Sequence, residues 1–285
     1  MHPEMIITGI PRSGTSYLCK VLHETANCVI INEPTEIMSM VKTREDLQNI
    51  QKLYTTLRDK INTGQAVINK VVNHKMIEDT AKIPSDQQYN LYYPVVTRPD
   101  FLLGTKNPLM YMARLPWLHQ LMPDSKIVAL IRHPLDTIAS WKNSFKHLAQ
   151  VSIHQLPAGH AEDKLLQDWQ REKLFQIEKT DNLALKRALF WAYLAEQLYI
   201  SRNFLLVIRY EDLMSNPELH LKKIFNSITG LPAEIRPTQA VSPSKIRCNR
   251  SILDEEDRIA IYEVCEKIAS KFGYYLTHEN CNIAI

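Results

Sequence analysis

Two apolar runs constrain this chain most, because each leads through a turn carrying a basic residue into a helix start. The first is Ile6-Ile7-Thr8-Gly9-Ile10-Pro11-Arg12-Ser13-Gly14-Thr15-Ser16-Tyr17-Leu18. The second is Ile127-Val128-Ala129-Leu130-Ile131-Arg132-His133-Pro134-Leu135-Asp136-Thr137-Ile138-Ala139-Ser140-Trp141. A short continuous apolar run is the pattern of a strand buried on both faces. When such a strand turns directly into a helix, the helix amides face the carboxyl edge of a parallel sheet, where anions bind. Two such turns in one chain suggest a ligand with phosphates at two places.

Gly9 and Gly14 have the G-x-x-x-x-G spacing of a phosphate loop, but Thr15-Ser16 stand where that loop would continue with Lys-[Ser/Thr]. Arg12 supplies the positive charge from inside the loop, and the amides of the following helix point at the same place. For the first string alone, a plain glycine turn between strand and helix is the competing reading. A nucleoside triphosphatase also wants a carboxylate after a later strand to hold magnesium. Here the later strand ends in Arg132-His133-Pro134, which suits a phosphate better than a cation. A phosphomonoester carries about −1.5 to −2 charge and needs several donors. Arg132 can grip it with two parallel hydrogen bonds. Pro134 suits a first helical turn, which places Ser140 on the helix that follows. His133 reads as a solvated side chain rather than a further donor.

Taken together the two strings resemble the sulfotransferase family that uses 3′-phosphoadenosine 5′-phosphosulfate (PAPS). Pro11-Arg12-Ser13-Gly14-Thr15-Ser16 resembles the family's loop around the 5′-phosphosulfate, and Arg132 with Ser140, eight residues later, resembles its 3′-phosphate site. A third resemblance is Val207-Ile208-Arg209-Tyr210-Glu211-Asp212-Leu213, whose Tyr210 would lie near the adenine or the 3′-phosphate. The three span Gly9 to Leu213, about three quarters of the chain, in family order. The resemblance implies a P-loop-like α/β fold, a parallel sheet in a three-layer sandwich. It also implies PAPS as donor, 3′,5′-ADP (PAP) as product and no metal.

Sulfuryl transfer needs a base for the acceptor's proton and cations facing the leaving oxygen. The histidine that serves as base in several cytosolic members is missing, because the chain reads Gly104-Thr105-Lys106-Asn107-Pro108 at that place. The motifs are closest to the bacterial and protein-tyrosine branch, where the base is a Glu after the second strand. Glu33, 21 residues beyond Arg12, has that position. It is expected to be raised toward neutrality by burial, with Glu36 and His23 as reserves; a solvated carboxylate or a structural partner of Arg12 is the alternative. Lys106 resembles that branch's lysine on the bridging oxygen, so Arg12 and Lys106 would stabilise the leaving 5′-phosphate. The C-terminal R-K-G element of cytosolic members is absent. Lys245 and Arg247 could replace it by position and charge, or could be plain exposed residues.

The motifs interleave, so 1–285 reads as a single domain. Strands are expected over 5–8, 29–31, 101–103, 126–131 and 205–208, and helices over 15–24, 44–63, 109–121, 134–145, 162–175, 184–201, 218–229 and 254–272, the last capped by Gly273. Residues 69–100 and 146–163, the latter with His147, His154 and His160, read as insertions that shape an acceptor pocket. Five scattered cysteines without metal spacing read as reduced thiols. A net charge of +3 without a long basic run disfavours a nucleic-acid partner. The phosphate loop begins by residue 9, and no apolar stretch is long enough to span a bilayer. The expectation is therefore a cytoplasmic enzyme without a membrane anchor, acting on a hydroxyl or amine of a small metabolite or natural product. A carbohydrate or lipid acceptor, a P-loop small-molecule kinase and a non-catalytic nucleotide-binding scaffold are the other readings. Oligomeric state is not legible.

Overall fold

A computed structural model describes residues 2–235, 245–246 and 249–281. Five strands form one parallel sheet: β1 (Glu4–Gly9), β2 (Cys28–Asn32), and β6 (Leu102–Lys106), β7 (Lys126–Ile131) and β8 (Leu205–Arg209), in the order β2-β6-β1-β7-β8. Every pairing is parallel, as the α/β reading expects. Four of the five strands lie within one residue of their expected bounds. The exception is β6, which runs three residues further and carries Lys106 to the sheet edge.

The alternation of side chains along the strands divides the core between the two faces. Ile6, Val29, Leu103, Ile127 and Ala129 pack into the larger apolar cluster, with the helices Asn49–Asn62, Leu183–Ile200 and Glu255–Ser270. Met5, Ile7, Ile30, Leu102 and Val128 pack into the other, with α1 (Thr15–His23) and Pro217–Asn226. Two covered faces make three layers. β1 lies where successive crossovers move to opposite sides, the topological switch point at whose carboxyl end ligands bind in open α/β sheets.

Several helices depart from expectation for local reasons. The stretch 109–121 divides into Pro108–Met112 and Leu115–Leu121, because Pro116 has no amide to continue the first helix and instead occupies the first turn of the second. The stretch 44–63 divides at Gln48. The helix expected over 162–175 begins later, at Asp168–Lys179, where Gln167 and Gln170 cap each other reciprocally. Gly273 does end the helix Glu255–Ser270, and a short helix, His278–Cys281, follows it. The φ of Gly273 is 75°, and the Tyr274 amide donates to the Ala269 carbonyl while the Gly273 amide donates to that of Ser270. The segment 69–100 is more than a polar loop. It contributes to an antiparallel sheet of β3 (Val67–Val72), β4 (Lys75–Met76) and β5 (Tyr89–Tyr92). Four cysteines, Cys19, Cys28, Cys265 and Cys281, are free thiols, and Cys248 lies outside the described residues. Among the described residues no helix is long and apolar enough to cross a membrane.

Candidate active site

The strand order sets the order of the site. Along the carboxyl edge of the sheet stand Glu33 after β2, Lys106 ending β6, the Arg12 loop after β1, Arg132 after β7 and Tyr210 after β8. All five line one cavity of about 860 Å³, together with Gly14, Thr15, Ser16 and Ser140.

The first loop is shaped by what its neighbours leave no room for. A Cβ on Gly9 would sit 2.3 Å from the Leu130 carbonyl oxygen, and one on Gly14 2.5 Å from the Tyr210 ring. Both glycines have positive φ, as does Arg12 at 72°, a conformation that costs a non-glycine residue stability. The loop is held on β7: the Ile10 amide and the Ser13 hydroxyl both donate to the Leu130 carbonyl, at 2.9 and 3.0 Å. Ser13 is thus buried and structural, and is not among the lining residues. Trp141 Nε1 donates to the Pro11 carbonyl at 2.9 Å, tying the loop to the second turn's helix, Pro134–Ser144. α1 starts at Gly14 without a side-chain cap, so its first amides are open to an anion.

Arg12 is held from two sides. Its Nε donates to Ser140 Oγ at 3.0 Å, and its Nη1 pairs with Asp79 at 2.9 Å. Arg132 is buried, stacks 4.5 Å over the Tyr210 ring and donates to the Arg12 carbonyl at 3.3 Å. The two expected phosphate sites are therefore one connected structure. Glu211 of the third motif accepts from the His133 amide at 3.0 Å and from Tyr274 Oη at 2.6 Å. His133 is half-buried, contrary to the expectation of a freely solvated side chain. Its Nδ1 accepts from the Leu135 amide, and burial pushes its pKa down to about 4.

Glu33 has a positive φ of 54°, and its amide donates to the Lys106 carbonyl at 2.7 Å. Its Oε1 accepts from Lys106 Nζ at 2.6 Å and its Oε2 pairs with Lys70 Nζ. Lys106 also reaches Ser16 Oγ at 3.4 Å. The expected raised pKa is overturned. Burial pushes it up, but Lys106 and Lys70 outweigh burial and bring it down to about 2.

The reserve bases fall away from the cavity. His23 is held by Tyr92 Oη at 2.7 Å and accepts from the Ile30 amide, and burial lowers its pKa to about 4. Glu36 is exposed outside the lining. Of the three insertion histidines, only His147 reaches the cavity; His154 and His160 pair with Glu178 and Glu162 at the surface. Lys245 is exposed and off the lining, and Arg247 lies outside the described residues. The C-terminal cation that does reach the second turn is Arg250, in a two-bond fork with the buried Asp136 at 2.7 and 2.8 Å.

Lys70, Asp79 and Arg250 were not singled out by sequence reasoning. For Lys70 there was a signal: Val67-Ile68-Asn69-Lys70-Val71-Val72 is β-branched enough to read as a strand. Asp79 and Arg250 stand in stretches with no such pattern.

The site is thus built at one carboxyl edge of a parallel α/β sheet, on two strand-to-helix turns that each carry an arginine. The sulfotransferase family model matches residues 3–234, and the chain belongs to that family. Solved structures with a similar chain include a sulfotransferase domain from the curacin biosynthetic pathway, 16% identical, covering 97% of this chain and 99% of that one, TM-score 0.44. A sulfotransferase from Alicyclobacillus acidocaldarius is 16% identical over 99% of each chain, TM-score 0.44. One from Mycobacterium avium is 13% identical over 100% of this chain and 78% of its own, TM-score 0.43. No curated protein matches the chain.

Proposed function

We propose that this transferase moves the sulfuryl group of PAPS to a hydroxyl or amine of a small-molecule acceptor. The observation that carries the reading is the placement of Glu33 and Lys106 beside the Arg12 loop on one cavity, with Arg132 and Ser140 each hydrogen-bonded to Arg12. The cradle fits such a donor: two glycines whose Cβ positions are already filled, uncapped helix amides, and two arginines linked through the loop carbonyl.

Bound PAPS supplies the sulfuryl group and a leaving 5′-phosphate. The amides at Thr15 and Ser16, with Arg12, hold the 5′ end; Arg132 and Ser140 hold the 3′-phosphate, and Tyr210 backs Arg132. Glu33 takes the proton of the acceptor as its oxygen or nitrogen bonds to sulfur. Arg12 and Lys106 balance the charge left on the phosphate oxygen when the old sulfur–oxygen bond breaks. Leu109, Met110, Leu148 and Leu156 give the cavity an apolar wall, which supports an acceptor with an apolar body. Cytoplasmic location belongs to the same proposal.

Thermal shift with 3′,5′-ADP, 5′-ADP and ATP-magnesium tests the donor. Selective stabilisation by 3′,5′-ADP is expected; equal or stronger stabilisation by ATP-magnesium would move the reading to a kinase. Labelled PAPS offered with a panel of alcohols, phenols and amines then tests transfer.

A further inference from the structure

Glu33 holds two lysines, and the reaction proposed above uses only one of them. Lys106 reaches Oε1 from β6 and is 2% exposed; Lys70 reaches Oε2 from β3 and is 8% exposed. The neighbouring Asn69 explains how Lys70 is placed. Its amide copies a strand against the open edge of β2: Oδ1 accepts from the Asn32 amide at 2.8 Å, and Nδ2 donates to the Ile30 carbonyl at 2.9 Å. Tyr89, the register partner of Lys70 on β5, stacks 5.0 Å from its ammonium and donates from Oη to the Glu33 carbonyl at 3.1 Å. A strand pair outside the main sheet is thus clamped onto β2 so that one ammonium meets the outer oxygen of Glu33.

We propose that Lys70 is a positioning residue: it holds Oε2 of Glu33 and leaves Oε1 to take the acceptor's proton once Lys106 turns to the donor. This rests on the sulfotransfer reading. One ammonium cannot serve fully both Glu33 and a leaving phosphate oxygen. With Lys106 drawn away, burial favours protonation of Glu33 and Lys70 opposes it. The carboxylate then stays ionised and aimed, yet gains proton affinity over its state between two lysines. Binding of the donor and readiness of the base are coupled through Lys106. The other groups that face Glu33 are Tyr89, whose pKa is pushed up to about 12, and the buried thiol of Cys19 on α1. Neither supplies a competing positive charge.

The test follows the Glu33 carboxyl directly by NMR of protein carrying isotope-enriched glutamate, the signal being assigned by its loss in Glu33→Gln. The Lys106→Met background stands in for the donor-engaged state and needs no nucleotide. Adding Lys70→Met should raise the Glu33 titration midpoint by about one to three pH units, and Lys70→Arg should restore it. Lys70→Gln, which keeps a donor without charge, gives the same comparison if the methionine variant fails to fold. An unmoved midpoint overturns the proposal. With any acceptor that the labelled-PAPS screen yields, Lys70→Met should lower kcat and move the acidic limb upward while the KM for PAPS stays near wild type. A change in that KM alone also overturns it. If wild type neither binds 3′,5′-ADP nor uses PAPS, the sulfotransfer reading fails and the titration still reports on Lys70, so the two failures are distinct.

Discussion

Replacing Glu33 by Gln should separate the structural and chemical duties of that side chain. The variant keeps the shape but leaves Lys106 and Lys70, 2% and 8% exposed, without their shared counter-charge. Gross attraction for one such pair is about 4 kcal/mol at an effective dielectric of 20. The net figure follows from proton affinity. Folded Glu33 titrates at about 2 against an ordinary 4.5, and each unit corresponds to about 1.4 kcal/mol. The ionised form therefore contributes about 3 kcal/mol to stability. The sign follows from linkage: a depressed carboxylate stabilises above its unfolded pKa and loses that contribution as pH falls through its folded one. Glu33→Gln should thus lower the melting temperature by roughly 5–10 °C at pH 7. The gap from wild type should close as pH falls from about 4.5 toward 2. Calorimetry across that range checks both statements. Binding of 3′,5′-ADP should survive, because the lysines freed by the substitution attract anions. Turnover should fall by about 10²–10⁴-fold, since Gln cannot take the proton. Equal melting of variant and wild type at pH 7 would refute the two-lysine account. Wild-type turnover would place the base elsewhere on the cavity, with His147 first to test.

The remaining predictions bear on the phosphate side and on acid stability. Arg132→Ala should weaken 3′,5′-ADP binding by about 2–5 kcal/mol in a calorimetric titration; because Arg132 also bonds the Arg12 carbonyl and covers Tyr210, a lower melting temperature should accompany it. Asp79→Asn removes a carboxylate that competes with the donor for Arg12, so 3′,5′-ADP should bind roughly fivefold tighter, about 1 kcal/mol; unchanged or weaker binding would contradict that. His23 and His133 are both held near pKa 4 by burial. They stay neutral in the fold while the unfolded chain protonates, so stability should fall as pH drops from about 6.5 to 4, by about 1–3 kcal/mol for each. Flat urea midpoints over that range would refute their burial.

The parts legible in the sequence were those encoded locally. Ile127 to Ile131 is apolar at every position, and Pro134 follows three residues later, so both strand and helix start could be placed from neighbours in the chain. The glycine loop was legible from its local spacing, although the neighbours that require Gly9 and Gly14, Leu130 and Tyr210, stand far along the chain. What could not be read is what crosses the fold. Asp79 meets Arg12 across 67 positions and Arg250 meets Asp136 across 114; nothing in either stretch marks its destination. The direction of the Glu33 pKa shift failed for this reason too. Burial was inferable from a strand end, but the second lysine came from the segment 69–100, whose pairing onto β2 depends on one Asn side chain copying a strand.

That segment contributes charge at both ends of the site. Lys70 neutralises the carboxylate at one end, and Asp79 neutralises the loop arginine at the other. An anionic donor that enters beside Arg12 exchanges ion partners rather than meeting bare charge. Exchange lowers the net gain in affinity, because each new pair replaces an old one. On the sulfotransfer reading it would also give the donor leverage over the site, because one partner it displaces, Glu33, is the proposed base. On that reading, Lys106 leaving Glu33 would change the base, and Arg12 leaving Asp79 would exchange one ion partner for another on the same cavity. Donor and acceptor would therefore, on the same reading, be coupled by charge, through the segment clamped to β2, without any requirement that the sheet itself move.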